Sequence, residues 1–143
     1  MELKKQSALI DEKNKKIQDM TNILNRKASV VKALKDNVSN ALVGYSNDGL
    51  TVNQRNGKVY VSLDEKLLFK PAKYSVDPKG VEALKKLAVV LSQNKDINVM
   101  IEGHTDNIAY KGTNGIEDNW DLSVKRATAI VKILLSSASI DPK

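Results

Sequence analysis

Residues 101–131 read IEGHTDNIAYKGTNGIEDNWDLSVKRATAIV, and this stretch decides the fold. Just before it, Ile97, Val99 and Ile101 alternate with polar residues, the period of a strand with one buried face. The middle holds Asp106, Asn107, Gly112, Gly115 and Asp118, a loop composition. Asp118 or Asn119 then suits an N-cap, and Asp121 suits the positive end of a helix dipole. From there Trp120, Val124, Ala127, Val131 and Leu134 fall on one helical face, with Leu122, Ala129, Ile130 and Ile133 widening the apolar arc. Asp121, Lys125, Thr128 and Lys132 form the wet face, including an Asp-to-Lys pair four apart. Arg126 sits inside the apolar arc, a cation where the pattern asks for an aliphatic side chain. Trp120 is expected in the core.

Working outward, Asp77-Pro78 opens a helix with a capping acid followed by proline. Its stripe is Val81, Leu84, Leu87, Ala88 and Leu91, and it fades at Asn94. Earlier still, Leu50–Arg55 and Lys58–Leu63 flank Asn56-Gly57, a strong short hairpin signal, with Leu50, Val52, Val59, Val61 and Leu63 on one face. Leu67–Ala72 is an irregular apolar segment ending near Pro71. The order hairpin, helix, strand, helix predicts an α+β fold, a layer of helices over a small mixed sheet.

Residues 2–43 read as one long helix, free of proline and free of glycine before Gly44. Leu3, Ile10, Ile17, Leu24, Val31 and Val38 recur every seventh residue. The positions three further on are apolar only in the later heptads. Such a narrow stripe needs a partner, either another helix or the chain's own globular part.

The 143 residues suffice for one modest domain and a tail. Of the net charge of +6, residues 1–40 carry nine Lys/Arg against five Asp/Glu, so the basic excess lies mostly on the tail. Aromatics make up only 4%, which argues against a nucleic-acid platform of stacked rings. With no cysteine, disulfides and thiolate metal sites are excluded. No apolar run approaches membrane-spanning length, and Met1–Lys5 lacks the apolar region of a signal peptide.

Chemistry concentrates at residues 102–126. Glu102, His104 and Asp106 alternate, so a fully extended chain would form a metal triad for a hydrolase. Gly103 within the set instead implies a turn that separates them, leaving no metal site and His104 orienting the loop. A single His and the absence of a nucleophile motif give little for covalent catalysis. An inward guanidinium demands an acid, either an internal partner, Asp106 or Glu102, or an acidic ligand.

Gly103-His104-Thr105-Asp106, Asn119 and Leu122-Ser123-Val124-Lys125-Arg126-Ala127 together resemble the signature of the OmpA-like (OmpA/MotB) peptidoglycan-binding domain, over about residues 58–143. Residues 1–45, outside the resemblance, read from their heptads as a helical, coiled-coil-like stalk. The resemblance implies an OmpA-like two-layer α/β sandwich at 46–143, in β-α-β-α order over a mixed sheet. It implies a non-catalytic protein without cofactor or metal that binds the diaminopimelate residue of the peptidoglycan stem peptide. Asp106 would accept from the ligand ammonium, and Arg126 would hold a carboxylate in two parallel bonds. Thr105, Asn107 and Asn119 would complete the site, with backbone N–H groups near 105–108 and the helix N-terminus holding a further carboxylate.

The same resemblance implies a periplasmic, outer-membrane-associated protein of a Gram-negative bacterium, anchored as a lipoprotein through a segment upstream. It also implies that the family's following strand and helix lie beyond Lys143. A helical partner or homo-oligomer through residues 3–42 is expected, with peptidoglycan as ligand and no nucleic acid. The alternatives are a coiled-coil scaffold, a flagellar-stator-like protein and, more remotely, a metal-dependent hydrolase. The loop 107–118 is longer than the common family version.

Overall fold

A computed structural model describes residues 1–113 and 115–142. Helix α1 spans Glu2–Ala41, followed by a 3-10 turn at Val43–Asp48 and a hairpin of β1 (Leu50–Arg55) and β2 (Lys58–Leu63). Then come a one-turn helix α2 (Glu65–Leu68), α3 (Pro78–Gln93) and α4 (Asn119–Ser137). The chain is α+β, as its patterning predicts.

The hairpin forms where Asn56-Gly57 was read as a turn. Both residues have positive φ, 52° and 72°, and Arg55 pairs with Lys58 in an antiparallel register. That geometry is a type I′ turn, whose twist matches the flanking strands. The hairpin's inner face, with Leu50 buried and Val52, Val61 and Leu63 half-buried, joins a core built mainly by α3. Ala83, Leu84, Leu87, Ala88 and Val90 of α3 are buried there with Leu67, Leu68 and Phe69. Val38 and Leu42, at the end of α1, are in the same core at 2% and 1% exposure. Further up α1 the large apolar residues from Leu3 to Val30 stand exposed. The long helix is therefore rooted at one end only. Among the described residues no helix is long and apolar enough to cross a membrane.

The sheet differs from the mixed one expected. Among the described residues it has two strands, β1 and β2, paired only with each other. Ile97–Ile101 joins no strand ladder. A strand exists only when a neighbour supplies its hydrogen bonds, and the nearby apolar segment is engaged otherwise, with Phe69 bridged to Val76. Of the three residues expected on its inner face, Ile101 packs against the core and Ile97 is half-buried, while Val99 is 50% exposed.

Helix α4 lies against α3. Its docked face carries Leu122, Arg126 and Leu134, all buried, with Ile130 and Ile133 packed beside them. Trp120 does not join the core, being 83% exposed, and Val124 is 63% exposed. Trp120 is two residues from Leu122, about 200° round the helix. Docking through Leu122 and Arg126 turns the indole outward.

Candidate functional site

The segment carrying Asp106 is pinned to α4 by a close approach and a side-chain clamp. At Gly103 a Cβ would run into the Ser123 carbonyl oxygen and crowd Ala127. Gly103 is therefore required by contact and not by turning, since its φ is not positive. The small residues Ser123 and Ala127 answer it from the helix, so the two parts of the motif meet face to face. The clamp is Asn119, whose Nδ2 donates to the carbonyl oxygens of Asp106 (3.3 Å) and Ile108 (2.8 Å).

Asp106 is exposed, and its Oδ1 accepts from the Ile108 N–H at 3.1 Å. One carboxylate oxygen thus shapes the loop, while the outward carboxylate keeps accepting capacity. Thr105 is half-buried and Asn107 exposed. Glu102 and His104 do share a side of the chain, with Nε2 and Oε2 3.3 Å apart and both groups largely in solvent. Asp106 turns to its own loop instead. No cluster of three or more potential metal-ligating side chains occurs among the described residues.

Arg126 occupies a different environment. It is 4% exposed, with Nε donating to the Lys73 carbonyl oxygen at 2.9 Å and Nη2 to Glu65 Oε1 at 2.7 Å. Its guanidinium also lies over the Phe69 ring, 4.7 Å from the centroid, a favourable cation–π placement. The internal acid is therefore Glu65, not Asp106 or Glu102, the two candidates seen in the sequence. Glu65 comes from the start of α2, where Asp64 caps the turn by accepting from Lys66 N.

These bonds use one edge of the guanidinium fork. No recorded hydrogen bond uses Nη1, and no buried side-chain nitrogen or oxygen among the described residues lacks a partner. Nη1 thus keeps N–H donors that no described residue engages. Asn119 and Arg126 are seven residues apart, on the same face of α4 and about 10 Å along its axis. Helical side chains lean toward the N-terminus, which brings the guanidinium nearer the Asn119 clamp. Asp106 and Arg126 are thus tied to the same helix, the loop of the first through the Asn119 clamp and the second as a buried residue of α4.

At the N-terminus of α4, two backbone donors are engaged within the chain. Asp118 Oδ1 accepts from Asp121 N at 2.9 Å, and the Asp118 carbonyl accepts from Leu122 N at 3.0 Å. Asp121 Oδ2 accepts from Glu117 N at 3.0 Å and from Lys125 Nζ at 2.9 Å. Lys125 also donates to the Gly115 carbonyl oxygen. These bonds clip the end of the long loop to the helix. The hydrogen bond from Lys125 holds the Asp121 carboxyl below its ordinary value, helped by the Glu117 N–H, and the same contact raises Lys125. Of the backbone N–H groups expected to hold a further carboxylate, those of Ile108, Asp121 and Leu122 are engaged in these bonds.

A shallow groove of about 280 Å³ runs beside the close approach, lined by Gly103, Ser123, Ala127 and Thr128 among others. A larger one of about 720 Å³ lies between the end of α3, residues 97–101 and the end of α4. Neither is lined by Asp106 or Arg126.

Residues 68–143 match the OmpA family. Over 83 residues the chain is 29% identical to Motility protein B of Bacillus subtilis, an alignment covering 58% of this chain and 31% of that protein. The chain thus spans about a third of the length of that curated relative. The crystal structure of a putative MotB-like protein from Desulfovibrio vulgaris superposes with a TM-score of 0.66 at 18% identity, covering 81% of this chain and 74% of that one. At that identity the likeness speaks to the fold.

Proposed function

This chain belongs to the OmpA family through residues 68–143, and from that premise we propose that it binds peptidoglycan non-covalently and acts as an anchor at the cell wall, outside the cytoplasm. The ligand group is the diaminopimelate residue of the stem peptide. Asp106 accepts from its ammonium, and the open edge of Arg126 takes its carboxylate in a charge-assisted fork. Asn119 holds the loop, while Thr105 and Asn107 border the ligand. The observation that carries this reading is a buried guanidinium that bonds Lys73 and Glu65 through Nε and Nη2 while Nη1 makes no hydrogen bond among the described residues.

No step in this reading breaks or makes a covalent bond, so the protein is a binder and not an enzyme. A stalk of about 60 Å, from 40 helical residues at 1.5 Å each, would hold the binding part away from its attachment. Attachment to an outer membrane through an upstream lipid anchor is one arrangement. The identity with Motility protein B favours a second, in which the domain works as the wall-gripping part of a motor-type membrane complex.

The test is calorimetric titration of a diaminopimelate-containing stem peptide into wild type, Asp106→Ala and Arg126→Ala. Saturable binding to wild type that is lost in both variants is expected. Equal binding by all three proteins would remove the assignment of the two residues. No binding of the stem peptide or of purified sacculi by wild type would remove the cell-wall reading.

A further inference from the structure

We infer that the turn Lys70–Lys73 is a second anion subsite beside Arg126. Its ligand is the carboxylate of the glutamate that neighbours diaminopimelate in the stem peptide. The two lysines thereby select stems in which that carboxylate is free and not amidated. The subsite rests on the reading that Arg126 takes the diaminopimelate carboxylate, and it extends that reading along the same peptide.

Between Glu65 and Asp77 the chain carries Lys66, Lys70 and Lys73 and no acid. All three lysines are exposed, and none belongs to an ion pair among the described residues. The acids just before them are engaged, Glu65 by Arg126 and Asp64 by the cap of α2. Lys125 also approaches from α4, its ammonium 5.9 Å from the Tyr74 ring, but it is paired with Asp121. The uncompensated positive charge therefore gathers on the turn.

The turn is built to keep it there. Lys73 N donates to the Lys70 carbonyl oxygen at 3.0 Å, which closes a four-residue turn and brings the two lysine Cα atoms within about 7 Å. Pro71 takes the second position, and Ala72 takes the third with φ 57°. That is the type II pattern, in which glycine or asparagine is usual at the third position because a Cβ is disfavoured there. Strain of this kind persists only where the surroundings hold it, and it collects at ligand sites. Here it sets two like charges side by side against their own repulsion, which a bound anion would relieve.

The turn also touches the guanidinium. The Lys73 carbonyl oxygen accepts from Arg126 Nε at 2.9 Å, and the Lys73 side chain leaves from the Cα next to that carbonyl. Glutamate is joined to diaminopimelate through one amide. The flexible four-carbon stem of lysine bridges the step from Arg126 to that second carboxylate.

Calorimetric titration of two stem peptides tests this, the pair identical except that the glutamate carboxylate is free in one and amidated in the other. Wild type should bind the free form about five- to tenfold more tightly, the size of a charge-assisted contact. Added salt should narrow the difference. The double variant Lys70→Gln, Lys73→Gln should bind the two forms alike and hold the amidated one as tightly as wild type does. Both side chains are exposed, so its near-ultraviolet circular dichroism should match that of wild type. Lys95→Gln, past the far end of α3, should keep the wild-type preference. Equal binding of both peptides by wild type, or a preference that survives in the double variant, would overturn the subsite. So would a loss in Lys95→Gln as large as in the double variant, the mark of diffuse attraction to charge. If wild type binds neither peptide, the cell-wall reading falls and the subsite with it.

Discussion

Arg126 and Asp106 belong to one proposed site but are built in opposite ways. Arg126 is at 4% exposure, fixed by the Lys73 carbonyl, Glu65 and the Phe69 ring. Asp106 is exposed on a loop held by Asn119 and by a bond within the loop itself. A rigid cation can receive a ligand carboxylate without moving, because the cost of ordering it is met when the chain folds. An exposed carboxylate keeps its hydration until the ligand arrives. The contrast separates two quantities that mutagenesis usually mixes, stability and affinity.

The largest effect belongs to Arg126→Ala. The truncation removes buried alkyl packing and two hydrogen bonds, and should lower unfolding free energy by about 2–4 kcal/mol. Stem-peptide binding should vanish with it. Asp106→Ala should abolish binding equally while changing stability by no more than about 0.5 kcal/mol, as for an exposed surface position. Urea denaturation beside calorimetry checks both. If Asp106→Ala destabilises as much as Arg126→Ala, the contrast is broken and the loop is part of the core.

Glu65→Gln comes next. Glutamine keeps the shape and still accepts from Nη2, but the ion pair is gone, at a cost of about 1–2 kcal/mol because Glu65 is half exposed. Binding should strengthen about two- to tenfold, since a charge competing with the ligand carboxylate has been removed. Loss of binding would instead mean that Glu65 aims the guanidinium. Asn119→Ala removes the two clamp bonds and should cost about 1 kcal/mol, with affinity falling about three- to tenfold as the loop loosens. Amide exchange at residues 106–108 should speed up. Unchanged exchange there would show that the Gly103 contact alone holds the loop.

How much of this was readable beforehand follows from what each signal depends on. The hairpin at Asn56-Gly57, the start of α3 at Asp77-Pro78 and the inward position of Arg126 rest on neighbours in sequence, and all three are seen. Glu65 could not be paired with Arg126 because the two are 61 residues apart and nothing local marks the acid. The expected strand at 97–101 and the buried Trp120 failed for a shared reason. Periodicity says that a face is apolar, not which neighbour covers it, and α4 docks through Leu122 and Arg126 while the indole stays out. Gly103 was legible as special but misread, since a glycine needed for close approach and one needed for a turn look the same in sequence.

The smallest effect concerns the clip that closes the long loop onto α4. Lys125 Nζ contacts Asp121 Oδ2 at 2.9 Å and so lowers the Asp121 pKa from its ordinary 3.8, while the same bond raises Lys125 from 10.5. A lowered acid contributes stability that is present above its unfolded value and lost as pH falls through the folded one. A raised amine contributes stability that is present below its unfolded value and lost as pH rises through the folded one. Between those limits the clip is constant, so loop closure should be insensitive to pH near neutrality and open only in strong acid or strong base. Both groups are solvent-facing, so the change should appear in local signals and not in global unfolding. The Glu117 amide resonance, whose N–H donates to Asp121, is the reporter. Lys125→Met should return the Asp121 titration toward 3.8 and erase the alkaline limb. If Asp121 in that variant still titrates as low as before, the Glu117 N–H holds the carboxylate without the lysine. The loop end is then fastened through a backbone N–H to one helix side chain, as the Asp106 end is through backbone carbonyls to Asn119.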